Sequence, residues 1–402
     1  MWRFYSIDTV SQQRLGSLDG ILQSWQKTLN GTASAELDIH PDADGLNPDT
    51  KDDIRRMTDP VKRSLLVCWD DVPWICGPIW SREWDESTGT PSLKITVSGV
   101  ESLWDKKKVL NYEAGSTTLR NWFEVLQSTT TPDTVKTAMT GSAVSLSGVS
   151  LGRLISAVIR ASLDPKLDGN PPDGAISYPD LSTDTDASAS ITANYWDLTD
   201  LSSAISTIQG QSDAPDMTIT PIWDGENRQG IIYRIDIGRD SLPGINSDIL
   251  GLNATYGLPD SPIIGFTDTE DGTTVSTQRW SKGSGSDSSM IMAAASSRAD
   301  PTMPLIAGET DYTSISDSAS LSALVKGDLA SHLTPTRTLS VIVDGSAMQT
   351  AFGAIPLGSI ARIRFNGHPW EPDGVIEGRV TSMSNTDITG GPIYKLDLTL
   401  ED

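Results

Sequence analysis

The sequence pattern best suited to nucleophilic chemistry is Gly148-Val149-Ser150-Leu151-Gly152. It matches G-x-S-x-G, which places a serine on a sharp turn between a strand and a helix. A strand-like stretch over Ala143–Leu146 precedes it, and a helix is predicted to follow. A hydrolase also needs a series of βαβ units, which the sequence does not predict, and only His332 or His368 could serve as its base. We therefore expect Ser150 to cap a helix, with a serine hydrolase as the alternative.

Metal chemistry has few candidate ligands in this sequence. The chain contains three histidines and two cysteines, without H-E-x-x-H or C-x-x-C spacing and without a phosphate-binding P-loop. Neighbouring acidic pairs are too common here to indicate calcium or glycosidase chemistry. We predict no catalytic residues, no metal site and no cofactor, and we expect that the protein is not an enzyme.

The two cysteines, Cys68 and Cys76, fall in one predicted hairpin. A three-residue loop over Asp71–Pro73 would place them opposite each other on neighbouring strands. Cross-strand neighbours form a disulfide only with strain, so we predict two free thiols and a reducing compartment.

Seven of the twelve tryptophans lie in the first 112 residues. Exposed tryptophans can form a platform for sugars, which makes carbohydrate binding an alternative function. These tryptophans sit in alternating strands beside Ile and Leu, however, so packing in a core explains them.

Two stretches almost three hundred residues apart have nearly the same pattern. Each contains Pro-Trp, then Gly, Ile and Arg at similar spacing, then Thr-Gly-x-Pro and an alternating strand, as in a β-hairpin. We predict that the chain contains the same β-unit twice. The repeat positions are Pro73, Trp74, Gly77 and Arg82 in the first copy, and Pro369, Trp370, Gly374 and Arg379 in the second.

The charge of the chain is strongly negative and uneven. The formal net charge is -23, which argues against specific nucleic-acid binding because phosphate contacts need a basic surface. Residues 161–278 hold 19 acidic residues and four basic ones, so this middle region carries most of the negative charge. A solvated acidic surface is one explanation, and a functional negative field is another.

The sequence also bounds where the protein is made. Polar residues follow Met1–Tyr5, so no secretory leader is expected. No apolar run reaches the roughly 18 residues that a membrane-spanning helix needs. We expect synthesis in a cytoplasm and no membrane span.

The N-terminal part of the sequence is predicted to be rich in β-strands. Trp25–Ile39 should form a hairpin with Asn30-Gly31 as a type I′ turn. Further strands are predicted over Leu65–Trp69, Trp74–Trp84 and Ser92–Ser98. Short strands around many tryptophans indicate a small barrel or sandwich.

Helical periodicity begins after Tyr112. Apolar spacing of i, i+3, i+4 and i+7 predicts helices over Leu119–Leu126, over Leu151–Ile159, from Thr199 or Asp200 to Ile208, and over Leu321–Leu333. Residues 164–190 are predicted to form a loop, and Met217–Trp223 and Gly230–Gly238 a hairpin. Residues 240–318 give no clear pattern beyond a flexible polar tract at Ser281–Ser289.

The C-terminal part returns to strand patterns. Strands are predicted over Thr338–Val343, Ile360–Phe365, Val375–Met383 and Lys395–Glu401. The predicted fold is therefore α+β and mainly β, with two related small β-barrels and helical and mixed α/β insertions. The predicted domains are an N-terminal barrel (1–112), a mostly helical insertion (113–198), a mixed acidic region (199–335) and a C-terminal barrel (336–402), which strands from 215–240 could complete.

With these features together, the chain resembles a phage tail-hub protein. The resemblance rests on the tryptophan-containing hairpin at Ser24–Ile39, on Val72–Ile79, on the helical interruption, and on a late helix that leads into Leu357–Ile363. The chain is similar to the minor tail proteins of long-tailed phages, particularly of actinobacterial hosts. Those proteins correspond to the baseplate hub of contractile tails and to the N-terminal hub part of tail-associated lysins.

The resemblance implies an assembly as well as a fold. It implies a homotrimer in which two related barrels per chain give six similar units, so that a six-fold tail tube can continue into a three-fold tip. It implies a location in the virion, at the tail tip, with the distal tail protein, the tape-measure protein and a central fibre or other minor tail proteins as partners. The sequence ends at Asp402 after the second predicted barrel, so we expect other tail proteins to digest the cell wall and bind the receptor.

The expected function is therefore structural. The protein would link the distal tail ring to the central fibre and form part of the DNA ejection channel, where carboxylates would keep DNA from sticking to the wall. The alternatives are the distal tail ring protein itself, a bacterial surface adhesin, which the missing leader disfavours, and a serine hydrolase that uses Ser150.

Overall fold

The computed structural model describes residues 1–40, 48–87, 89, 91–110, 139–163, 170–187, 189–211, 214–238, 250–297, 301–313, 315–345, 355–385 and 393–400. Strands predominate in these residues, and a smaller share lies in helices, as predicted. The strands are β1 (Trp2–Asp8), β2 (Arg14–Leu18), β3 (Ile21–Thr28), β4 (Ser34–Ile39), β5 (Arg63–Trp69), β6 (Val72–Asp85), β7 (Ser92–Ser98), β8 (Val144–Val149), β9 (Ile176–Ser177), β10 (Ala189–Ala193), β11 (Asp216–Trp223), β12 (Ile231–Gly238), β13 (Leu250–Thr255), β14 (Ile263–Asp271), β15 (Gln278–Lys282), β16 (Met292–Ser296), β17 (Ala307–Glu309), β18 (Thr336–Asp344), β19 (Ile360–Phe365), β20 (Gly374–Asn385) and β21 (Ile393–Thr399). The α-helices are α1 (Pro48–Met57), α2 (Leu151–Ser162), α3 (Leu201–Gln209) and α4 (Ser318–Ala330).

One sheet of thirteen strands contains both ends of the chain. Its order is β14-β18-β21-β20-β3-β4-β7-β6-β5-β1-β2, and β19 and β13 extend it from β20. We call β1–β7 the N-terminal half and β13, β14 and β18–β21 the C-terminal half. The C-terminal half thus takes its additional strands from residues 250–271, whereas β11 and β12 form a separate sheet with β9.

The two halves repeat the same strand order. The N-terminal half runs β3-β4-β7-β6-β5-β1, and the C-terminal half runs β14-β18-β21-β20-β19-β13. All neighbours are antiparallel in both series except at the last position. There β1 is antiparallel to β5, whereas β13 is parallel to β19.

A short seam between β3 and β20 joins the halves. The side chain of Asn385 lengthens this seam, because its Oδ1 accepts from the Trp25 backbone N–H (2.7 Å) and its Nδ2 donates to the Gln23 carbonyl (3.1 Å). The residue pairs of the seam are Ser382 with Thr28, Met383 with Lys27, and Ser384 with Gln26.

The predicted closure of two β-barrels is not confirmed, since no sheet closes within the part of the chain that the structure describes. In the C-terminal half the open edges are β13 and β14, which follow each other in sequence. Aromatic packing links these edges: the rings of Tyr256 and Phe266 meet edge to face at 5.0 Å, and Phe266 also contacts Phe365 at 4.9 Å. Side chains there replace backbone hydrogen bonds between the edges.

Strand β5 explains how two cores are held together. Its residues are apolar on both faces, as in a strand covered on both sides. Leu65 and Val67 enter a core shared by the N-terminal and C-terminal halves. Leu66 and Cys68 enter a second core, which contains α2, α3, β11 and β12. Burial of both faces ties the N-terminal half to the middle of the chain.

Three of the four predicted helices lie in described residues and are confirmed. Helix α2 begins after Ser150, α3 begins after Asp200, and α4 begins after Asp317, whose carboxylate accepts from the Ser320 N–H at 2.7 Å. Helix α4 ends at Ala330, earlier than predicted. The helix predicted over residues 119–126 lies outside the described residues.

The hairpins are confirmed, but two turns differ from their predictions. Asn30 has a positive φ of 58°, whereas Gly31 does not, so the β3–β4 connection is not a type I′ turn. The β5–β6 turn has two residues with positive φ, Asp70 (45°) and Asp71 (67°), instead of three residues. Cys68 consequently pairs with Pro73, and the prediction that it faces Cys76 is wrong.

Residues 240–318, which showed no pattern in the sequence, contribute five strands. β13 and β14 join the large sheet, and β15 lies between β16 and β17 in a sheet that packs on α4. The predicted polar tract at Ser281–Ser289 begins inside β15 and ends in a 3-10 turn over Asp287–Ser289.

Candidate assembly surface

The two repeated tryptophans lie in different environments. Trp74 lies on β6 and is 7% exposed in the shared core. Trp370 lies in the connection between β19 and β20 and is 76% exposed. An exposed tryptophan is a large apolar contact surface, so Trp370 is the first candidate for a contact with another protein.

A charged cluster holds Trp370 in place. Its indole N–H donates to Asp268 Oδ2 on β14 (3.1 Å). Arg337 on β18 binds the same carboxylate with two hydrogen bonds of 3.0 and 3.1 Å. The Arg337 Nη2 also donates to both oxygens of Glu371, at 3.1 and 2.9 Å. The indole is therefore fixed by a carboxylate that is itself fixed.

The electrostatics of this cluster follow from its burial. Glu371 is 2% exposed, and the Asp268 side chain is 11% exposed. The hydrogen bonds from Arg337 lower the pKa of Asp268, and the two carboxylates raise the pKa of Arg337. Because one guanidinium balances both carboxylates, removal of Arg337 would leave two buried negative charges.

His368 fixes the backbone of the same loop. Its Nδ1 accepts from the Trp370 N–H (3.2 Å) and from the Glu371 N–H (3.0 Å). Its ring packs against Phe266 at 5.0 Å and against Phe365 at 5.7 Å. The backbone and the indole of Trp370 are thus both held in place. Less conformational entropy is therefore lost when a partner binds the indole.

The glycines and prolines of the two repeats lie in different surroundings. Gly77 lies where β6 approaches the end of β7 so closely that a Cβ atom would overlap the Ser98 carbonyl. Gly374 begins β20 with a φ of 154° and has open space around it. Pro73 lies in β6 opposite Cys68, and Pro369 is exposed in the β19–β20 loop.

The two repeat arginines also differ. Arg82 donates from Nη1 to the Arg55 carbonyl (2.6 Å) and to Thr58 Oγ1 (3.2 Å). Arg379 forms an ion pair with Asp216 at 2.5 Å, between the C-terminal half and β11. The equivalence of the eight repeat positions stays a prediction.

The hydrogen-bonded residue pairs give an alignment of the two halves that differs from that of the repeat positions. Val97 pairs with Ile79 in the first half, and Leu398 pairs with Val380 in the second. Adding 301 to each residue number of the β6–β7 pair gives the β20–β21 pair, so the two strand pairs correspond without any insertion. This shift places Gly378, and not Gly374, at the position of Gly77.

The tip of the β3–β4 hairpin docks on the middle region. The Asn30 side chain donates to Asp216 (2.5 Å) and accepts from Gln209 Nε2 (2.8 Å) and from the Met217 N–H (2.8 Å). Since Asp216 also pairs with Arg379, one carboxylate contacts both halves of the large sheet.

A second aspartate ties the middle region to the N-terminal half. Asp71 forms ion pairs with Arg3 and with Arg228 (3.1 Å), and its backbone carbonyl accepts from the Trp223 indole (2.7 Å). Desolvation raises the pKa of this carboxyl, but the hydrogen bonds from Arg3 and Arg228 outweigh it, and the net shift is downward.

A further charged pair lies beside Trp74. The Lys27 ammonium is 4.3 Å from the centroid of the Trp74 ring. Burial lowers the pKa of Lys27 to about 8 and raises the pKa of the nearby Glu101 carboxyl to about 7. Both groups therefore change charge near neutral pH.

Ser150 has the geometry of a helix cap. It is buried, and its hydroxyl accepts from the Arg153 N–H at 3.2 Å. His332 Nδ1 contacts the Asp328 carbonyl at 2.7 Å, and His368 holds the Trp370 loop. Neither of these two predicted bases contacts Ser150.

Burial governs the chemistry of the two cysteines. Cys68 and Cys76 are free and buried, as predicted, and burial raises the pKa of both thiols, that of Cys76 to about 12. Within the described ranges, no three His, Cys, Asp or Glu side chains are grouped so that they could hold a metal ion. No described helix has the length and apolar character to cross a membrane.

Sequence reasoning missed the residues that hold Trp370. Arg337 lies 69 residues after Asp268 and 34 residues before Glu371, and no local pattern connects the three. An arginine between a predicted helix and a predicted strand was the available signal. It has no meaning until β14 is placed beside β18.

Comparison with solved structures finds proteins of similar fold. A tail protein from Neisseria meningitidis MC58 is similar with a TM-score of 0.54 and 14% identity, over 100% of this chain and 97% of that one. The 43 kDa tail protein of prophage MuSo2 from Shewanella oneidensis is similar with a TM-score of 0.52 and 8% identity, over 99% and 98%. Both structural neighbours are tail proteins, one of them from a prophage, and the resemblance predicted from the sequence is confirmed at the level of the fold.

Sequence comparisons add nothing to this result. No family profile matches the sequence, and no curated protein is similar to it in sequence.

Proposed function

We propose that this protein is a structural component of a phage tail tip, a trimeric hub that links the distal tail ring to the central fibre. The observation that carries the proposal is the fold, which is similar to two tail proteins, one of them from a prophage, over nearly the whole length of all three chains. The repeated strand order supports the trimeric form, because two similar halves per chain would give six similar units in a ring of three.

The exposed Trp370 supports an assembly role. The charged cluster of Asp268, Arg337 and Glu371 holds an exposed indole in a fixed position. A monomeric protein has no need for such an arrangement, whereas a protein that binds a partner through the indole does. On this proposal the indole contacts a neighbouring tail protein, such as the distal tail ring, the tape-measure protein or the fibre.

The DNA channel is the second part of the proposal. Exposed carboxylates of residues 161–278, including Asp173, Glu226 and Asp260, would line the lumen of the assembled ring. Their repulsion of phosphates would let DNA pass without binding. Carboxylates on the outer surface of the ring would contradict this idea.

Native mass spectrometry tests the hub. The hub requires a species at three times the chain mass of 43.1 kDa. A hexamer would instead support the alternative of a distal tail ring protein, and a strictly monomeric protein would contradict both. Labelling of this chain in purified particles should place it at the tail tip, and a label elsewhere on the virion would contradict that location.

A further inference from the structure

A groove between α1 and the β6–β7 hairpin is unusual in so acidic a chain. Its volume is about 590 Å³, and its charged lining consists of Lys51, Arg55, Arg82 and Glu86. Trp84, which is 48% exposed, supplies an aromatic wall. Three cations and one carboxylate meet here, although the net charge of the chain is -23.

The cations of this groove are available for a partner. Lys51 and Arg55 are exposed on α1, and neither forms an ion pair with a described residue. Arg82 uses its Nη1 on the Arg55 carbonyl and Thr58, which are neutral acceptors. Glu86 accepts from the Trp84 indole at 2.6 Å and so holds the aromatic wall in place.

The chemistry of the groove fits an acidic polypeptide segment. Two exposed cations on one helix face can each contact a carboxylate, while Trp84, Ile54 and Leu93 offer apolar surface to the segment's backbone and methyl groups. Phosphate groups of DNA are a poorer match, because the chain as a whole carries a net charge of -23.

The chain itself carries a suitable acidic segment at the end of β14. Glu270 and Asp271 are exposed there, and every residue from 269 to 274 is exposed. β14 is an edge strand, and its last two residues, Glu270 and Asp271, pair with Arg337 and Thr336 of β18, so the sheet holds this exposed strand end in place. The strand end is therefore presented to other molecules.

A second exposed acidic tip is held against its own chain. Asp224 and Glu226 lie in the β11–β12 turn, which is tied to the N-terminal half of the same chain. Arg228 in this turn pairs with Asp71, and the Gln229 carbonyl accepts from the Arg14 N–H at 2.7 Å. This tip therefore serves as an internal control.

We propose that the basic groove of one copy binds the acidic end of β14 of a neighbouring copy. The inference rests on the proposed function, because it assigns the contact that builds the trimer. The two surfaces are different, so the contact is head to tail, and such contacts form a ring when their rotation closes. Exposed ion pairs weaken as salt screens them, so the trimer should dissociate more readily at high ionic strength.

Charge-reversal variants test the contact by native mass spectrometry over a protein dilution series. Lys51→Glu with Arg55→Glu changes the groove, and Glu270→Lys with Asp271→Lys changes the β14 end. Each double variant should weaken self-association on the order of tenfold, because a few exposed ion pairs together contribute about 1–2 kcal/mol. The quadruple variant, with both surfaces reversed, should recover the association.

Two control variants have the same changes in charge. Lys106→Glu with Lys326→Glu alters exposed lysines outside the groove, and Asp224→Lys with Glu226→Lys alters the other acidic tip. Both controls should stay trimeric. Thermal unfolding of every variant separates loss of the contact from loss of the fold.

The outcomes distinguish this inference from the proposed function. If the wild-type chain is a trimer and the groove variant is equally trimeric, the inference fails while the hub proposal stands. Failure of the quadruple variant to recover association also overturns it, since the end of β14 is then not the occupant. A wild-type chain that never self-associates overturns both.

Discussion

Among the described glycines of the N-terminal half, Gly77 has the tightest backbone surroundings. A Cβ atom there would overlap the Ser98 carbonyl and lie within 2.7 Å of Gly99. Backbone atoms cannot move aside as the end of a side chain can. The close approach of β6 to the end of β7 therefore requires glycine.

We expect Gly77→Ala to lower the free energy of unfolding by about 2–4 kcal/mol, because the β6–β7 pairing must shift to admit a methyl group. Gly378→Ala should cost less, since its nearest neighbour would be the Leu400 Cδ2 atom at 2.8 Å, which is the end of a side chain. Gly210→Ala, with its nearest contact at 3.4 Å, is the control. Urea unfolding measures all three, and an equal effect at 77 and 210 would contradict this account.

Ser150 allows a direct choice between cap and nucleophile. Ser150→Ala should remove the hydrogen bond to the Arg153 N–H and lower stability by about 1 kcal/mol. Hydrolysis of a generic ester should not change, because Ser150 is buried and bonded within its helix. A complete loss of measurable esterase activity in the variant would instead support the hydrolase alternative.

Glu101 should make stability depend on pH. Burial raises the pKa of its carboxyl to about 7 in the folded protein, whereas the unfolded value is near 4.5. The folded state therefore binds this proton more tightly, and its contribution to stability is present below pH 4.5 and is lost as pH rises to about 7. Glu101→Gln should accordingly raise stability relative to wild type at pH 7.5 by about 1 kcal/mol more than at pH 5.

Urea unfolding at both pH values measures this difference. Glu226→Gln, a change at an exposed carboxylate, is the control and should show no such difference. A Glu101→Gln effect that is the same at pH 5 and pH 7.5 would mean that Glu101 titrates normally.

Among the elements, β14 and β18 show how a distant pairing creates a site. Each strand alone is an ordinary alternating segment. Their antiparallel register places Asp268 opposite Leu339, within reach of Arg337. The exposed Trp370, which lies in a third part of the chain, then has Asp268 as a fixed hydrogen-bond partner.

Removing the guanidinium of this cluster should be costly. Arg337→Met would leave Asp268 and Glu371 buried without a counter-charge, and we expect a loss of about 3–5 kcal/mol at pH 7. Asp268 has a lowered pKa in the wild type, so its favourable contribution is still present at pH 4 and is lost only in stronger acid. Without the guanidinium, burial favours the neutral form of a carboxyl, so the variant can relieve its buried charge by binding protons at pH 4. The difference between variant and wild type should therefore shrink at pH 4.

The measurement is urea unfolding at pH 7 and pH 4, with tryptophan fluorescence as the signal. Arg362→Met is the matched control, because its ion pair with Glu377 is about half exposed on both sides and should contribute at most about 1 kcal/mol. Equal losses for the two arginine variants would contradict the role given to burial.

Local signals allowed prediction of the elements that need only their own neighbours. The α2 cap at Ser150, the α3 start at Asp200 and the β11–β12 hairpin each follow from residues within one turn or one hairpin. β13 was not predictable, because it is stabilised by parallel pairing with β19, more than one hundred residues later. The β3–β4 turn was misread since Asn30 serves the distant Asp216 and not a tight turn.

At the scale of the whole molecule, the uneven charge leads to a prediction about DNA passage. Neutralising Asp173, Glu226 and Asp260 to Asn or Gln should slow DNA release from triggered particles, because the wall would repel phosphates less. The rate of dye uptake by released DNA measures this. Neutralising Asp19, Asp52 and Asp105, which are exposed outside the acidic region, is the control. Equal rates for both sets would contradict a charged lumen.

At the scale of the whole molecule, the hydrogen-bond ladders align the two halves differently from the repeat positions of the sequence analysis. The Pro-Trp steps at 73 and 369 are similar in letters, yet one lies inside β6 and the other in a loop before β20. The ladders correspond through Gly77 and Gly378 instead. Apolar strand patterns are degenerate, so only the pairing partner fixes the register.

The seam between β3 and β20 has a mechanical consequence. Its three residue pairs form the shortest ladder within the thirteen-stranded sheet. A force that pulls the N-terminal and C-terminal halves apart would load these few hydrogen bonds. They would break before the longer ladders on either side. The Asn385 side chain adds hydrogen bonds to Trp25 and Gln23 across the seam. These bonds would raise the force at which the two halves separate.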